Sequence, residues 1–262
     1  MKGGGLSTVD KALEVLGLFS EVRPSIGLSE AARLLQRDKS TVQRYLAALE
    51  TQGFLERDAL SRAYHLGPAV TRLSVVREIT YPIEMAVKNV MAKLVQDTRE
   101  TVHLSHAQGA GLSSIAIVET TVRNTRVYID PSEILPLHLT ASGTAYLSQE
   151  PEEKAQKLLH RSFQKFPPPD AVTVEAANNL IRLAAVKGYS VADATFDYDV
   201  VGMAAPVFAS SGAPCGAVAV ATPKSRFDAE TQERIAAFLV PAAHKISRIH
   251  GAPQMAHQNA AE

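Results

Sequence analysis

Apolar and polar positions follow two rhythms along the chain, and the change between them divides it. Up to about residue 98 the apolar residues recur at helical spacing. Val9, Ala12, Leu13, Leu16 and Phe19 fall on one face at i, i+3, i+4 and i+7. Ser7 or Thr8 can cap that helix, and Asp10, three residues after Ser7, comes close to a capping box. Pro24 and Gly27 punctuate the next loop. Ser29 is expected to cap a short second helix over 30–35, with Ala32 and Leu35 inward. A few residues later Asp38 offers an N-cap oxygen to a third helix, whose Val42, Tyr45, Leu46 and Leu49 form its apolar stripe. Gly53 follows at the C′ position. Two strand-like runs, 54–57 and 63–66, then flank Asp58-Ala59-Leu60-Ser61-Arg62 as a hairpin.

Gly67-Pro68 opens another helix, since proline is well tolerated at the first helical position. Its stripe of Val70, Leu73 and Val76 suits contact with a second subunit. Tyr81-Pro82 interrupts it, and a further helix carries Ile83, Val87, Val90, Met91 and Leu94 on one face, with Glu84 and Lys88 outside. From Thr101 the period becomes two. Strands are expected over 101–107, 112–118 and 125–129, helices over 142–147, 152–161 and 174–187, and a hairpin from 201–208 and 215–222. Asp228 can cap a last helix reaching about Ile249, bent at Pro241. The glycine-rich start, the 166–169 loop and the tail after Gly251 read as mobile. The expected organisation is two domains: an N-terminal winged helix-turn-helix over 1–67 and a C-terminal α+β domain over 83–250. A linker helix over 68–82 joins them, and a flexible tail covers 251–262.

Composition narrows the classes of function. The 262 residues are 46% hydrophobic and 21% charged, which suits a globular chain and excludes a disordered or collagen-like one. One cysteine, Cys215, can form neither an internal disulfide nor a CxxC metal pair. No apolar run reaches the roughly 18–20 residues of a membrane span, and the first residues lack a signal peptide's apolar core, so a cytoplasmic location is expected. The 27 basic and 27 acidic residues sum to zero. Residues 1–77 hold 11 of the former and 8 of the latter, a balance of +3, which leaves −3 for the rest. A basic head on a mildly acidic body is a reason to look for DNA binding in the head.

The third helix has the chemistry for it. Arg44 can bond guanine bidentately, Gln43 can bond adenine, and the Thr41 methyl can touch thymine. Lys39, Ser40 and the helix start suit phosphate oxygens, and Arg62 at the hairpin tip suits a phosphate or the minor groove. In this region, DKSTVQRYLAALETQGFLERD followed by AYHLGPAV, the sequence resembles the IclR family of bacterial transcriptional regulators. Lys39, Ser40, Thr41, Arg44, Leu46, Leu49, Gly53, Tyr64, Leu66 and Gly67 match that pattern. Gln36 stands in place of the family's usual turn glycine, at a cost of roughly 1 kcal/mol if the turn is left-handed, and Asp38 in place of its usual proline.

The resemblance continues through LPLHLTASGTAYL (135–147) and KGYSVADATFDYDVVGMAAPVFASSGAPCGAVAV (187–220). It implies a GAF-like sensor domain that binds a small metabolite, often an organic acid, and alters operator binding. In carboxylate-sensing members the ligand is held by loop amides, an acid, a cysteine and two serines. The loop is present as Thr140-Ala141-Ser142-Gly143. The acid position falls on Ala192, the cysteine position on Gly202 and the serine positions on Ala219 and Ala221. Small apolar walls enlarge a cavity and remove donors. They point to a bulkier or more apolar effector, such as an aromatic acid with its carboxylate on the loop, and Asp193 and Thr195 can supply further polar contacts if the loop shifts by one residue.

His103-x-x-His106 does not read as a metal pair, because residues three apart on a strand point to opposite faces. No hydrolase, nucleotide or dinucleotide motif is present, and neither a catalytic residue, a metal nor a cofactor is expected. His138 reads as a hydrogen-bonder that orders its loop. The partners expected are double-stranded DNA carrying a palindromic operator, a small-molecule effector and a second copy of the chain, as dimer or tetramer. The alternative is a constitutive DNA-binding oligomer with no effector.

Overall fold

The computed structural model describes residues 8–19, 23–80, 82–168 and 172–253. Ser7, the glycine-rich start, Tyr81, Pro169 and the tail beyond residue 253 lie outside the described residues. Contacts separate the chain into two compact units, residues 1–82 and 83–262. No helix among the described residues is long and apolar enough to cross a membrane.

The first unit runs α1 (Thr8–Leu16), β1 (Ser25–Ile26), α2 (Leu28–Leu34), α3 (Lys39–Thr51), β2 (Leu55–Arg57), β3 (Tyr64–Leu66) and α4 (Pro68–Thr80). Val15, Ile26, Ala31, Val42, Leu46, Leu55 and Tyr64 form its core. The inward face of α1 is centred on Val15, with Leu16 and Phe19 packed beside it. Val9 and Leu13, expected inside, are 67% and 55% exposed because they lie about a third and nearly half a turn around the helix from Val15. Ser29 does not cap α2. Leu28 packs against the core, so the helix starts earlier, at an N-cap Gly27 that makes no side-chain bond.

Asp38 does cap α3. Its carboxylate accepts the Thr41 N–H at 2.7 Å and the Ser40 hydroxyl at 2.6 Å. The hairpin forms as β2 and β3, and β1 adds a third strand in the order β1-β3-β2. Two residues are too few to show any period, which is why the sequence does not reveal β1.

The second unit contains α5 (Ile83–Thr98), β4 (Thr101–Gln108), β5 (Gly111–Val118), β6 (Ile134–Pro136), α6 (Ala141–Leu147), α7 (Glu152–Lys165), α8 (Val174–Lys187), β7 (Ser190–Asp193), β8 (Val200–Phe208), β9 (Pro214–Pro223) and α9 (Ala229–Ile249). Its six strands form one antiparallel sheet in the order β6-β5-β4-β9-β8-β7. On one face Val102, Leu104, Met203, Val207, Val218 and Val220 meet Val87, Met91 and Leu94 of α5 and Ile235, Leu239 and Ile246 of α9. Each such side chain fully removed from water contributes about 1.5–3 kcal/mol. The other face meets α6 through Ala204, Ala217 and Ala219 against Ala141 and Ala145.

Two expectations shift here. Residues 125–129 form no strand, because no neighbouring strand pairs with them. Side chains hold the segment instead: Thr101 Oγ1 donates to the Val127 carbonyl at 3.0 Å, and Arg226 donates to the Thr125 carbonyl at 3.1 Å while clamping the buried Glu100. Strand β7, absent from the pattern reading, pairs with β8. Asp228 caps α9 by accepting the Thr231 N–H at 2.8 Å, and the helix continues through Pro241.

Candidate functional site

Two regions carry polar groups that the folding core does not use. In the first unit, the α2–α3 turn contains Gln36 at φ +53°, a left-handed residue with a side chain. The turn closes through the Gln36 N–H to the Arg33 carbonyl and the Arg37 N–H to the Ala32 carbonyl. Beyond it, α3 buries Val42, Leu46 and Leu49 and presents Lys39, Ser40, Gln43 and Arg44 to solvent, with Thr41 half-buried. The Lys39 ammonium and the Arg44 guanidinium make no ion pair among the described residues.

Ser40 differs in one respect from its expected role: its hydroxyl is already engaged by Asp38. That bond and the Thr41 N–H hold the Asp38 carboxyl at about 2, well below its usual range. A fixed negative charge therefore sits at the start of α3, beside any approaching phosphate. Arg62 sits at the hairpin tip with φ +59°, exposed. Asp58 organises that tip by accepting the Leu60 and Ser61 N–H groups at 3.1 and 2.7 Å.

In the second unit, a cavity of about 110 Å³ opens between the α6 face of the sheet, the 127–135 segment and the β7–β8 loop. That volume holds a small organic molecule and not merely one or two waters. Thr140, Ala141, Ser142, Ala192, Thr195, Gly202, Ala219 and Ala221 all line it. The small residues are there for geometric reasons. A Cβ on Gly202 would stand 3.3 Å from the Ala141 Cβ, so α6 lies close enough to β8 that a larger residue there would press on Ala141.

Gly143 and Asp193 are not in the lining. A Cβ on Gly143 would fall 2.3 Å from the Leu137 backbone, so this glycine serves the packing of α6 on that segment. Its N–H is taken by Thr140 Oγ1 at 3.1 Å. Asp193 points to Lys224, 2.8 Å away. The Thr195 hydroxyl donates to the Leu139 carbonyl at 2.6 Å.

His103, weighed in the sequence only as a metal ligand, is a cavity residue. It lies on β4 opposite Ala219, is 7% exposed, and lines the cavity. Its Nε2 stands 3.3 Å from Ser142 Oγ, and its Nδ1 is buried with no partner. Burial pushes its pKa down to about 4, so the ring is neutral at pH 7. If Ser142 donates to Nε2, Nδ1 carries the proton and is a donor without an acceptor. The signal available in the sequence was parity: His103 shares a strand face with Thr101 and Ser105, opposite to that of Val102 and Leu104.

Val127, Ile129, Leu135, Leu139 and Phe196 supply much of the apolar wall. Glu133 and Asp197 also reach it, and among the described residues no Lys or Arg does. Burial, then the charges of Asp130 and Asp197, raise the Glu133 pKa. His138 lies outside the lining. Its Nδ1 is 2.8 Å from Ser162 Oγ and its ring stacks on Phe163, so it orders the loop.

A basic-faced second helix of a helix-turn-helix, a three-stranded wing, and a separate α+β unit with a ligand-sized cavity define a DNA-binding transcription regulator. Comparison with known proteins gives the family. The IclR helix-turn-helix domain matches residues 8–59, and the family described as bacterial transcriptional regulator IclR C-terminal matches residues 79–248. The chain belongs to the IclR family. It is 26% identical over 249 residues to the HTH-type transcriptional regulator BhcR of Paracoccus denitrificans, covering 93% of this chain and 87% of that one. It is 23% identical over 257 residues to the transcriptional repressor IclR of Escherichia coli, covering 95% and 91%. A crystal structure of a Silicibacter sp. TM1040 protein assigned to the IclR regulators is 33% identical, with a TM-score of 0.67 and coverage of 95% and 97%. The family consists of transcription regulators and not enzymes.

Proposed function

We propose that this regulator's operator affinity is set by a small metabolite held in the cavity beside His103. The observation that carries this reading is the buried Nδ1 with no partner in a largely apolar, ligand-sized space. Leaving such a group unpaired costs about 1–3 kcal/mol, which a ligand acceptor restores. The effector is therefore a compact molecule of aromatic-ring size with an apolar body and one acceptor group. Among the organic and aromatic acids expected from the family, and their uncharged relatives, the lining favours the uncharged ones. A carboxylate would meet Glu133 and Asp197 and no cation.

On the DNA side, Thr41, Gln43 and Arg44 read base edges, while Lys39, Ser40 and Arg62 contact the backbone or flanking groove. One small head neutralises few phosphates, so two copies bind a palindromic operator. The exposed Leu73, Val75, Val76 and Ile79 of α4 give the second copy an apolar face to cover.

A thermal-shift screen of paired aromatic acids, esters and phenols tests the effector reading, with operator binding measured for each compound that stabilises the protein. If none changes either quantity, the protein binds DNA constitutively and the effector reading fails. For the head, Arg44→Ala is expected to lower specific binding by about 1–3 kcal/mol with little change in nonspecific affinity. Equal losses in both would remove Arg44 from base reading.

A further inference from the structure

On the sheet face away from the cavity, three metal-ligating side chains converge beside the end of α9. His106 stands near the end of β4, opposite Gly216 of β9. Cys215 is the extra residue of a β-bulge, where the β8–β9 register shifts between Val207 and Phe208. It packs against the α9 side of the core. His250 is the C-cap of α9. One donor atom from each of the three lies within 4.8 Å of the other two, and the two imidazoles meet edge to face at 5.7 Å. Tetrahedral zinc, with Zn–N of about 2.0–2.1 Å and Zn–S of about 2.3 Å, holds its ligand atoms roughly 3.5 Å apart.

Bonds outside the cluster fix its geometry. The Phe208 N–H donates to Ser247 Oγ at 3.0 Å, and that hydroxyl donates to the Ala243 carbonyl at 2.8 Å. The helix end is closed by the Gly251 N–H to the Arg248 carbonyl and the Ala252 N–H to the Ser247 carbonyl. The end of α9 is thus tied to the β8–β9 hairpin, which sets His250 against Cys215. Inside the cluster the bonding is incomplete. His106 Nε2 is buried without a partner, and the Cys215 thiol makes one long contact, 3.4 Å to the Val207 carbonyl.

We propose that His106, Cys215 and His250 form a Zn²⁺ site that fastens the end of the last helix to the sheet, with water in the fourth position. Two imidazoles and a thiolate select a zinc-like ion over magnesium or calcium, which take oxygen ligands. Binding forms one Zn–S and two Zn–N bonds, the thiol proton passes to solvent, and nothing is oxidised or reduced. The site is distinct from the effector cavity, which His103 faces from the opposite side of the same strand.

Cys215 is the chain's one cysteine, so a thiol reagent reports on this site alone. In the full-length protein, Zn²⁺ is expected to slow alkylation of Cys215. Co²⁺ is expected to bind once per chain with a tetrahedral visible spectrum and a sulfur-to-cobalt charge-transfer band. Cys215→Ser should abolish that band, and His106→Gln or His250→Gln should weaken Co²⁺ binding by about tenfold or more. Each variant should keep the melting temperature that the parent shows in EDTA. Where a variant fails that folding check, thiol protection in the unaltered protein decides. An alkylation rate unchanged by saturating Zn²⁺, or a cobalt spectrum lacking the sulfur band, overturns the proposal.

Discussion

The same strands of the C-terminal sheet build two faces with opposite packing. Along β8 and β9, Met203 pairs with Val220 and Val207 stands near Val218, and all four press against α5 and α9. One residue along, Gly202 pairs with Ala221 and Ala204 with Ala219, and these face α6 and the cavity. The alternation is large-small in place of apolar-polar, so both faces are buried and only one is filled. The filled face holds the domain together, and the thin face leaves room for a ligand while keeping water contact low. The largest expected effect follows. Met203→Ala, which removes a fully buried side chain from the filled face, should cost about 2–5 kcal/mol in denaturant unfolding. A cost below about 1 kcal/mol would mean that this face is not the one that stabilises the fold.

This contrast also explains what could be read from the sequence. The head was legible because its signals are local: the stripe of α3, its Asp38 cap and the wing each depend on neighbours a few residues apart. The departures in the head are places where tertiary packing outweighed local preference, as with the exposed Val9 and Leu13 or the early start of α2 at Leu28. In the body, Thr140, Ala192, Gly202, Ala219 and Ala221 could be placed at the cavity through the family resemblance. For His103, parity gives only the face of β4, since its neighbours there come from β9 and α6 and depend on sheet register. Residues 125–129 alternate like a strand but have no pairing neighbour, and alternation alone cannot supply one. The approach of His106, Cys215 and His250 depends on a bulge and a helix end that no sequence period encodes.

A second test uses the charge that the thin face excludes. His103 is held near pKa 4 when folded, against about 6.5 when unfolded, so the unfolded chain binds the extra proton between those values. The stability from keeping His103 neutral is therefore complete above about pH 6.5 and is lost as pH falls towards 4, by about 3 kcal/mol. His138, also held near 4, adds a slope of the same sign. Unfolding measured from pH 7 to 4 in EDTA should show His103→Gln with a shallower loss than the parent. Parallel pH profiles for the two proteins would place the buried neutral imidazole elsewhere.

The smallest expected change in stability is the most informative about function. Ala219→Val adds two methyl groups to a strand position that lines the cavity, next to His103 across the ladder. A β-branched side chain suits a strand, and the added volume is shared between the cavity and the small-residue contact with Ala141 and Ala145 of α6. The stability change should therefore stay below about 1.5 kcal/mol in either direction. The space lost comes directly from the ligand's share, so the thermal shift given by any stabilising compound should fall or vanish while operator binding by the unliganded protein is kept. If Ala219→Val instead destabilised as much as Met203→Ala, the two faces would be equally filled and the cavity too tight to hold an effector. If it left ligand shifts intact, the effector would lie elsewhere, and His103 with its unpartnered nitrogen would need another explanation.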